Sequence, residues 1–438
     1  MRLTRWLYPG LGIKRWLLLL VLGLLLFTVG AALLINIRAL ALLEEGLRRL
    51  ALVVAGELTA PTWLAGAILL AAGTWVAVFA FRRLVHTLIR GAVGDRLATS
   101  EVAERLYIRW LLSRGPRVVA LGGGTGLPVL LRGLKEYTGN ITAIVTVADD
   151  GGSSGQLRGE LGILPPGDIR NCLVALADTE PLMAQLLQYR FAQGGLKGHA
   201  MGNVLIGALN DLSGDFQEAI RQLSRVLAVR GQVLPSALEQ VTLRAQLVDG
   251  TVVEGESAIG QASKPIARVE LVPGEVTPPR EAVEALEQAD IIVVGPGSLY
   301  TSIMPNLLVP ALREAFLRAP ALKIYICNVM TEPGETRGYR ASDHLRALER
   351  HLGAQPFDYV IVNTAPIKEE LRRKYCAEGA APVVVDRLEL YRLGAQPVEA
   401  PVIEQTQVVR HAADLLSAVI IELVLRSPVT LRRLSILD

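Results

Sequence analysis

Cysteine is scarce in this chain: Cys172, Cys327 and Cys376 are the three among 438 residues, far apart and without a Cys-x-x-Cys pair. An odd number at such spacing excludes a disulfide framework and a cysteine-based zinc site, and it fits a reducing compartment. Each reads as a small core residue rather than a nucleophile. Aromatic residues are also thin, 5% of the chain, which removes the stacking platforms that single-stranded nucleic acid needs. No block of Lys and Arg stands out, and the formal net charge of +3 is small for the size. Nucleic acid is therefore not an expected partner. Internal repeats and low-complexity tracts are missing as well.

What the chain has in excess is apolar surface, with 51% hydrophobic residues and a mean hydropathy of +0.37. The excess is concentrated near the N-terminus. Trp16 to Ile35 reads WLLLLVLGLLLFTVGAALLI without a charge, and about 20 such residues in helix cover a hydrocarbon core of about 30 Å. A signal peptide is the rival reading, because Arg2, Arg5, Lys14 and Arg15 precede the run. The run is long for that role, and no small-x-small cleavage site follows it. A second run, Pro61 to Phe81, is stopped by Arg82 and Arg83.

The expectation is a membrane hairpin over residues 1–83 with spans at 16–36 and 61–81, membrane lipid being its partner. A pair of buried core helices is the alternative. Basic residues cluster on the outer flanks, so the positive-inside rule favours both ends in the cytoplasm. Residues 84–115 read as an amphipathic connector, and 427–438 as a tail.

From residue 116 to 426 the pattern is that of an α/β protein with a Rossmann-like, doubly wound parallel sheet. Arg117 to Leu121 is a short buried strand, followed by Gly122-Gly123-Gly124-Thr125-Gly126, a helical stretch and a second strand, Ile141 to Ala148. That order is one half of a doubly wound sheet. Glycines in the first turn let the backbone approach a phosphate, and the helix start behind them offers free N–H groups. The spacing is G-x-G-x-G, not the standard dinucleotide fingerprint, which counts against an NAD-dependent oxidoreductase.

Polar residues recur just after successive strands, where such sheets bind ligands. Asp149 and Asp150 open the run Asp-Asp-Gly-Gly-Ser153-Ser-Gly. They suit a ribose hydroxyl or a hydrated divalent cation, although a solvated Asx turn explains them too. Asp168, Arg170 and Asn171 follow a Pro-Pro-Gly turn. Arg170 offers a fork for phosphate, while Asp168 is equally an ordinary helix cap. His199, Gly202 and Asn203 open an apolar helix. A second glycine-rich turn carries Gly297, Ser298 and Ser302, and Asn328, Thr331 and Asn363 follow later strands. Tyr359 to Val362 reads as the last strand, and Glu404 to Leu425 as a long amphipathic helix covering the sheet. Between these, residues 230–275 alternate in a period of two, with turns at Asp249-Gly250 and Glu254-Gly255. They read as an inserted antiparallel β subdomain.

Together ALGGGTGLPVLLRGL, TVADDGGSSGQLR, LPPGDIRNCLVALAD, GHAMGNVLIGAL, VGPGSLYTSIMPNLLVP and ICNVMTEPGET resemble the YvcK/CofD-like family, and its YvcK branch in particular; ASDHL and DYVIVN agree. The resemblance spans about Arg117 to Ile421. It implies a gluconeogenesis factor that binds a UDP-sugar such as UDP-N-acetylglucosamine and is tied to cell shape and envelope synthesis. It implies no required cofactor, assembly as a homo-oligomer, and a protein partner in envelope synthesis. Gly123, Gly124, Thr125 and Gly126 would face the diphosphate, with Asp149, Asp150 and Ser153 near it. His199, Gly202, Asn203, Gly297, Ser298 and Ser302 would line the cleft. Ala200-Met201 departs from the pattern, lacking a small polar residue after the histidine. The CofD branch is instead an enzyme that transfers a phospholactyl group onto a deazaflavin with a divalent metal. On that reading Mg²⁺ would sit at Asp149 and Asp150, with Asp168 a further carboxylate nearby. No activated nucleophile with a base at hand is visible, so binding without turnover is the favoured expectation.

Overall fold

Strand β1 (Val118–Gly122) consists of small and branched residues with every position buried. In the computed structural model it is an inner strand of the sheet, between the strands Ile141–Val145 and Ile291–Val294. The structure describes residues 13–35, 62–93, 107–108, 110–178 and 181–426, which divide into two units, 1–109 and 110–438.

The first unit contains the helices Ile13–Ile35 and Thr62–Val93. They run antiparallel and pack through glycine: Gly30 meets Leu70 and Gly66, Gly73 meets Phe27 and Gly23, and Gly23 meets Ala77. Without side chains at those positions the backbones close on each other directly. Leu18, Val21, Leu25, Ile68 and Trp75 point outward and are exposed. Both helices are long and apolar enough to cross a membrane, with mean hydropathies of 2.1 and 1.7 over Arg15–Ala32 and Gly66–Thr87. The second helix runs past the expected boundary at 81, taking in the first third of the supposed connector; residues 94–106 and the tail 427–438 lie outside the described residues.

The second unit is built on seven parallel strands. They are β1, β2 (Ile141–Val145), β3 (Gln232–Pro235), β7 (Ile291–Val294), β8 (Leu322–Ile326), β9 (Tyr359–Asn363) and β10 (Gln396–Ala400), in the spatial order β10-β9-β8-β7-β1-β2-β3. Helices cover both faces, so the inner strands can be apolar throughout rather than alternating. Ile291 to Val294 are all fully buried, each side chain contributing roughly 2 kcal/mol of burial. β1 pairs with β2 on one side and β7 on the other. The loops leaving β1 and β7 therefore diverge around a crevice, the place where doubly wound sheets take ligands.

The insertion is real but starts later than expected. β3 pairs in parallel with β2 and belongs to the main sheet. The antiparallel insert is β4 (Thr242–Leu247), β5 (Val252–Glu254) and β6 (Ile266–Val272), in the order β5-β4-β6. A four-residue buried strand looks the same in either sheet, so periodicity could not assign β3. Two further expectations fail at the C-terminal end. Tyr359 does not open the last strand, since β10 pairs beside β9. The helix expected from Glu404 occupies only Ala413–Arg426, because the chain first makes a hairpin of β11 (Ile403–Gln405) and β12 (Val409–His411).

Candidate functional site

Two glycine turns meet at the crevice. The first leaves β1, with Gly124 at φ +60, a conformation that favours glycine; Thr125 then stands at the N-cap position of the helix Gly126–Leu134 without a side-chain capping bond. A side chain on Gly126 would overlap the carbonyl oxygen of Pro296 in the second turn. A Cβ on Gly124 would lie 3.1 Å from Ser302 Oγ. The turns are thus in contact, and glycine is what allows it. Ser298 and Ser302 sit on the second turn, and Asn306 locks it by donating from Nδ2 to the Gly122 carbonyl at 3.1 Å and the Ser302 carbonyl at 2.9 Å.

In front of these turns lies a cleft of about 330 Å³. Of the expected residues it is lined by Gly124, Thr125, Gly126, Gly297, Ser298, Ser302, Asn328 and Thr331. A smaller recess of about 200 Å³ shares Asn328 and adds Asn363. Asn363 is committed to its own turn, donating to the Ala365 carbonyl and accepting from its N–H. Thr331 Oγ1 likewise accepts from Ala381 N–H at 2.9 Å.

Ser153, Arg170, Asn171, His199 and Asn203 form a polar network apart from this lining. His199 Nδ1 lies 3.1 Å from Ser153 Oγ, which accepts from Asn203 Nδ2 at 3.0 Å. Arg170 donates through Nη1 to Asn203 Oδ1 and through Nη2 to Asn171 Oδ1, both at 2.8 Å. A Cβ on Gly202 would strike the Arg170 stem. His199, Ser153, Asn203 and Arg170 are all buried, and burial lowers the Arg170 pKa to about 10, with Arg190 adding to the effect. Asp168 holds the first glycine turn, its Oδ2 accepting from Gly124 N–H at 2.5 Å. Burial raises Asp168 to about 6; the Gly124 bond opposes that, and Asp149 reinforces it.

The paired aspartates also have structural duties. Asp149 accepts from Gly151 N–H at 2.9 Å. Asp150 Oδ1 accepts from the N–H and the hydroxyl of Ser257, at 3.0 and 2.8 Å, tying the insert to the main domain. Among the described residues no three His, Cys, Asp or Glu side chains are grouped to hold a metal ion. Each of the three aspartates accepts from a backbone N–H.

Sequence reasoning missed several groups. Glu332, Tyr375, Glu378, Arg410 and His411 also line the cleft. Glu332 is raised to about 7 by burial and by neighbouring Glu335, with a Ser298 hydrogen bond opposing. Its position inside the TEPGET stretch was the available signal. Arg410 and His411 carried none, because their three-residue strand lay inside a stretch read as helix. Glu256, from the insert, is raised to about 9 by burial and then by Asp149, Asp168, Glu335 and Asp150.

Residues 118–403 match the family model for 2-phospho-L-lactate transferase CofD. A putative gluconeogenesis factor from Nostoc is 44% identical over 422 residues, 95% of this chain and 92% of that protein. The gluconeogenesis factor of Bacillus subtilis is 49% identical over 314 residues, 71% of this chain and 99% of that protein. The first match extends into the N-terminal unit; the second has the length of the α/β unit. A crystal structure of a Bacillus halodurans protein shares 52% identity with a TM-score of 0.69, covering 70% of this chain and all of that one. With its sheet order, paired glycine turns and these relatives, the chain belongs to the CofD/YvcK family, among the gluconeogenesis factors.

Proposed function

We propose that the chain is a membrane-tethered, cytoplasmic UDP-sugar-binding regulator, with UDP-N-acetylglucosamine as the type ligand. The observation that carries this is the meeting of two glycine turns at the switch point, over a cleft faced by Arg410. Glycine turns at a helix start suit a diphosphate, and an arginine opposite adds charge-assisted bonds. Links to gluconeogenic growth, cell shape and envelope synthesis, homo-oligomerisation and a partner in envelope synthesis belong to the same proposal. So does the orientation of the hairpin, with both ends in the cytoplasm and lipid around it. Calorimetry on the detergent-solubilised full chain tests the ligand. Saturable heat with UDP-N-acetylglucosamine and none with NAD supports the reading.

A second reading is a CofD-type transferase of a phospholactyl-like group, supported by the family model and by the carboxylates Asp149, Asp168 and Glu256. Binding of a deazaflavin together with a divalent metal, and no response to uridine compounds, would select it instead.

A further inference from the structure

Each glycine turn has a buried carboxyl group behind it. Asp168 serves the first. For the second the residue is Glu335, whose Oε2 accepts from the Tyr300 N–H at 2.8 Å and whose Oε1 accepts from the Thr301 hydroxyl at 2.7 Å. Glu335 is buried and holds the start of the π-helical turn Leu299–Ile303. Glu332 stands three residues before it in one tight turn. The Glu335 N–H donates to the Glu332 carbonyl at 3.0 Å, and the Thr336 hydroxyl accepts from the Glu332 N–H at 2.9 Å. Glu332 is the half-buried member of the pair and lines the cleft. Its Oε1 accepts at 3.3 Å from Nδ2 of Asn328, another lining residue, and neither carboxyl oxygen is sealed from solvent without a partner.

The charges around that carboxyl group are unbalanced. Among the described residues the cleft lining carries Arg410 of β12 as its cation, against Glu332 and Glu378; Tyr375 and His411 are its other titratable groups. Arg337, in the same turn as Glu332, is exposed. Behind the wall stand Tyr300 of the second glycine turn and Tyr325 of β8, both phenols held neutral by burial. Two carboxyl groups as close as Glu332 and Glu335 do not ionise independently. Glu335 accepts two short bonds and keeps the charge. Glu332 is pushed up to about 7 by burial and then by Glu335, with a Ser298 hydrogen bond opposing. An anion laid on the glycine turns adds negative charge near Glu332 and favours its neutral form further. The neutral carboxyl group has an O–H to donate.

We infer that the cleft takes its anionic ligand together with one proton from solvent, held on Glu332 and donated to a ligand oxygen. The inference rests on the proposed UDP-sugar site and gives it a pH dependence. Below about 7 the proton is already in place, and affinity is level. Above that, each ligand brings a proton in with it, and affinity falls by up to about tenfold per pH unit. A diphosphate substituted at both ends lacks the ionisation near about pH 6 of a terminal phosphate, so a proton taken up on binding a UDP-sugar belongs to the protein.

The test is calorimetry of the detergent-solubilised full chain with UDP-N-acetylglucosamine, in two buffers of different ionisation heat, at about pH 6 and about pH 8. The expected result is uptake approaching one proton per ligand at the higher pH and little at the lower, with a dissociation constant about tenfold weaker at the higher pH. Glu332→Gln, which keeps a donor and cannot ionise, takes up no proton at the higher pH and binds with one affinity at both. Glu332→Asp keeps a carboxyl group and keeps the uptake with a displaced midpoint, which decides the matter where the glutamine variant does not fold. Binding without uptake in the wild type overturns the inference and leaves the UDP-sugar reading standing; Glu332 is then an ionised acceptor. Undiminished uptake in Glu332→Gln, or an unmoved midpoint in Glu332→Asp, places the proton elsewhere and overturns it too. No binding at either pH sinks the UDP-sugar reading, and the inference with it.

Discussion

The N–H of Gly124, in the turn expected to cradle phosphate, donates to Asp168 Oδ2 at 2.5 Å. A carboxylate at the start of the helix Gly167–Leu176 thus occupies one of the donors that an anion would use. Asp168 holds the turn in shape, and its negative charge sits behind the proposed diphosphate position.

The protonation of Asp168 gives the first prediction. Its folded pKa, about 6, lies above the 3.8 of a free aspartate. The native state therefore holds a proton that the unfolded chain has released, and stability falls as pH rises from about 4 to about 6. The full difference corresponds to roughly 3 kcal/mol. Asp168→Asn keeps an acceptor oxygen and removes the charge. Denaturant titrations should show a variant more stable at pH 7, with a shallower fall over that window than the wild type, Glu256 still contributing its own slope. An unchanged slope would count against the assignment.

Glu256 follows the same sign over a wider range. Its folded pKa is raised from 4.5 to about 9, so stability is lost progressively between those values. Glu256→Gln should match the wild type near pH 4 and exceed it increasingly toward pH 9, by roughly 2–4 kcal/mol after solvent relaxation. Equal losses in both proteins would show that Glu256 ionises freely.

Gly126 is the contact point of the two turns. Gly126→Ala places a methyl group against the Pro296 carbonyl, and overpacking of this kind costs about 1–3 kcal/mol. The expected result is a lower melting temperature with loss of UDP-sugar binding. Normal affinity would mean that the turns separate without consequence.

Asn203 bonds both Arg170 and Ser153 inside the protein. Asn203→Ala leaves a buried guanidinium short of an acceptor, at a cost of about 2–4 kcal/mol. Chemical denaturation should show that loss, and Asn203→Asp should restore part of it by meeting the charge. A fully stable alanine variant would contradict the network.

The hairpin predicts membrane behaviour. The full chain should sediment with membranes and resist extraction by high salt and by carbonate. Gly73→Leu forces a side chain against the Phe27 backbone and should lower the melting temperature of the detergent-solubilised helix pair. Release by salt alone would exclude a spanning hairpin.

Much of the α/β unit was legible because its signals are local. A run such as Ile291 to Val294 buries whatever its neighbours are, and glycine turns at strand ends identify themselves by backbone freedom. The two apolar helices were read from length and missing charge, and the structure added that glycines close them together. The edge elements were harder. β3, β10 and the β11–β12 hairpin are three to five residues long, too short for periodicity to separate strand from helix or one sheet from another.

The sequence by itself determined the fold class, the two glycine turns and most of the polar residues near them, since each is written in adjacent residues. Tertiary structure decided how those residues divide. It set Gly124, Ser302 and Asn328 on an open cleft, and it closed Ser153, Arg170, His199 and Asn203 into a network of their own. It also brought Glu256 from the insert toward the aspartates and His411 from the C-terminal hairpin onto the cleft wall. Burial and partnership at those positions come from segments more than a hundred residues apart in places, such as Asp150 and Ser257. Only the folded chain brings such pairs within hydrogen-bonding reach.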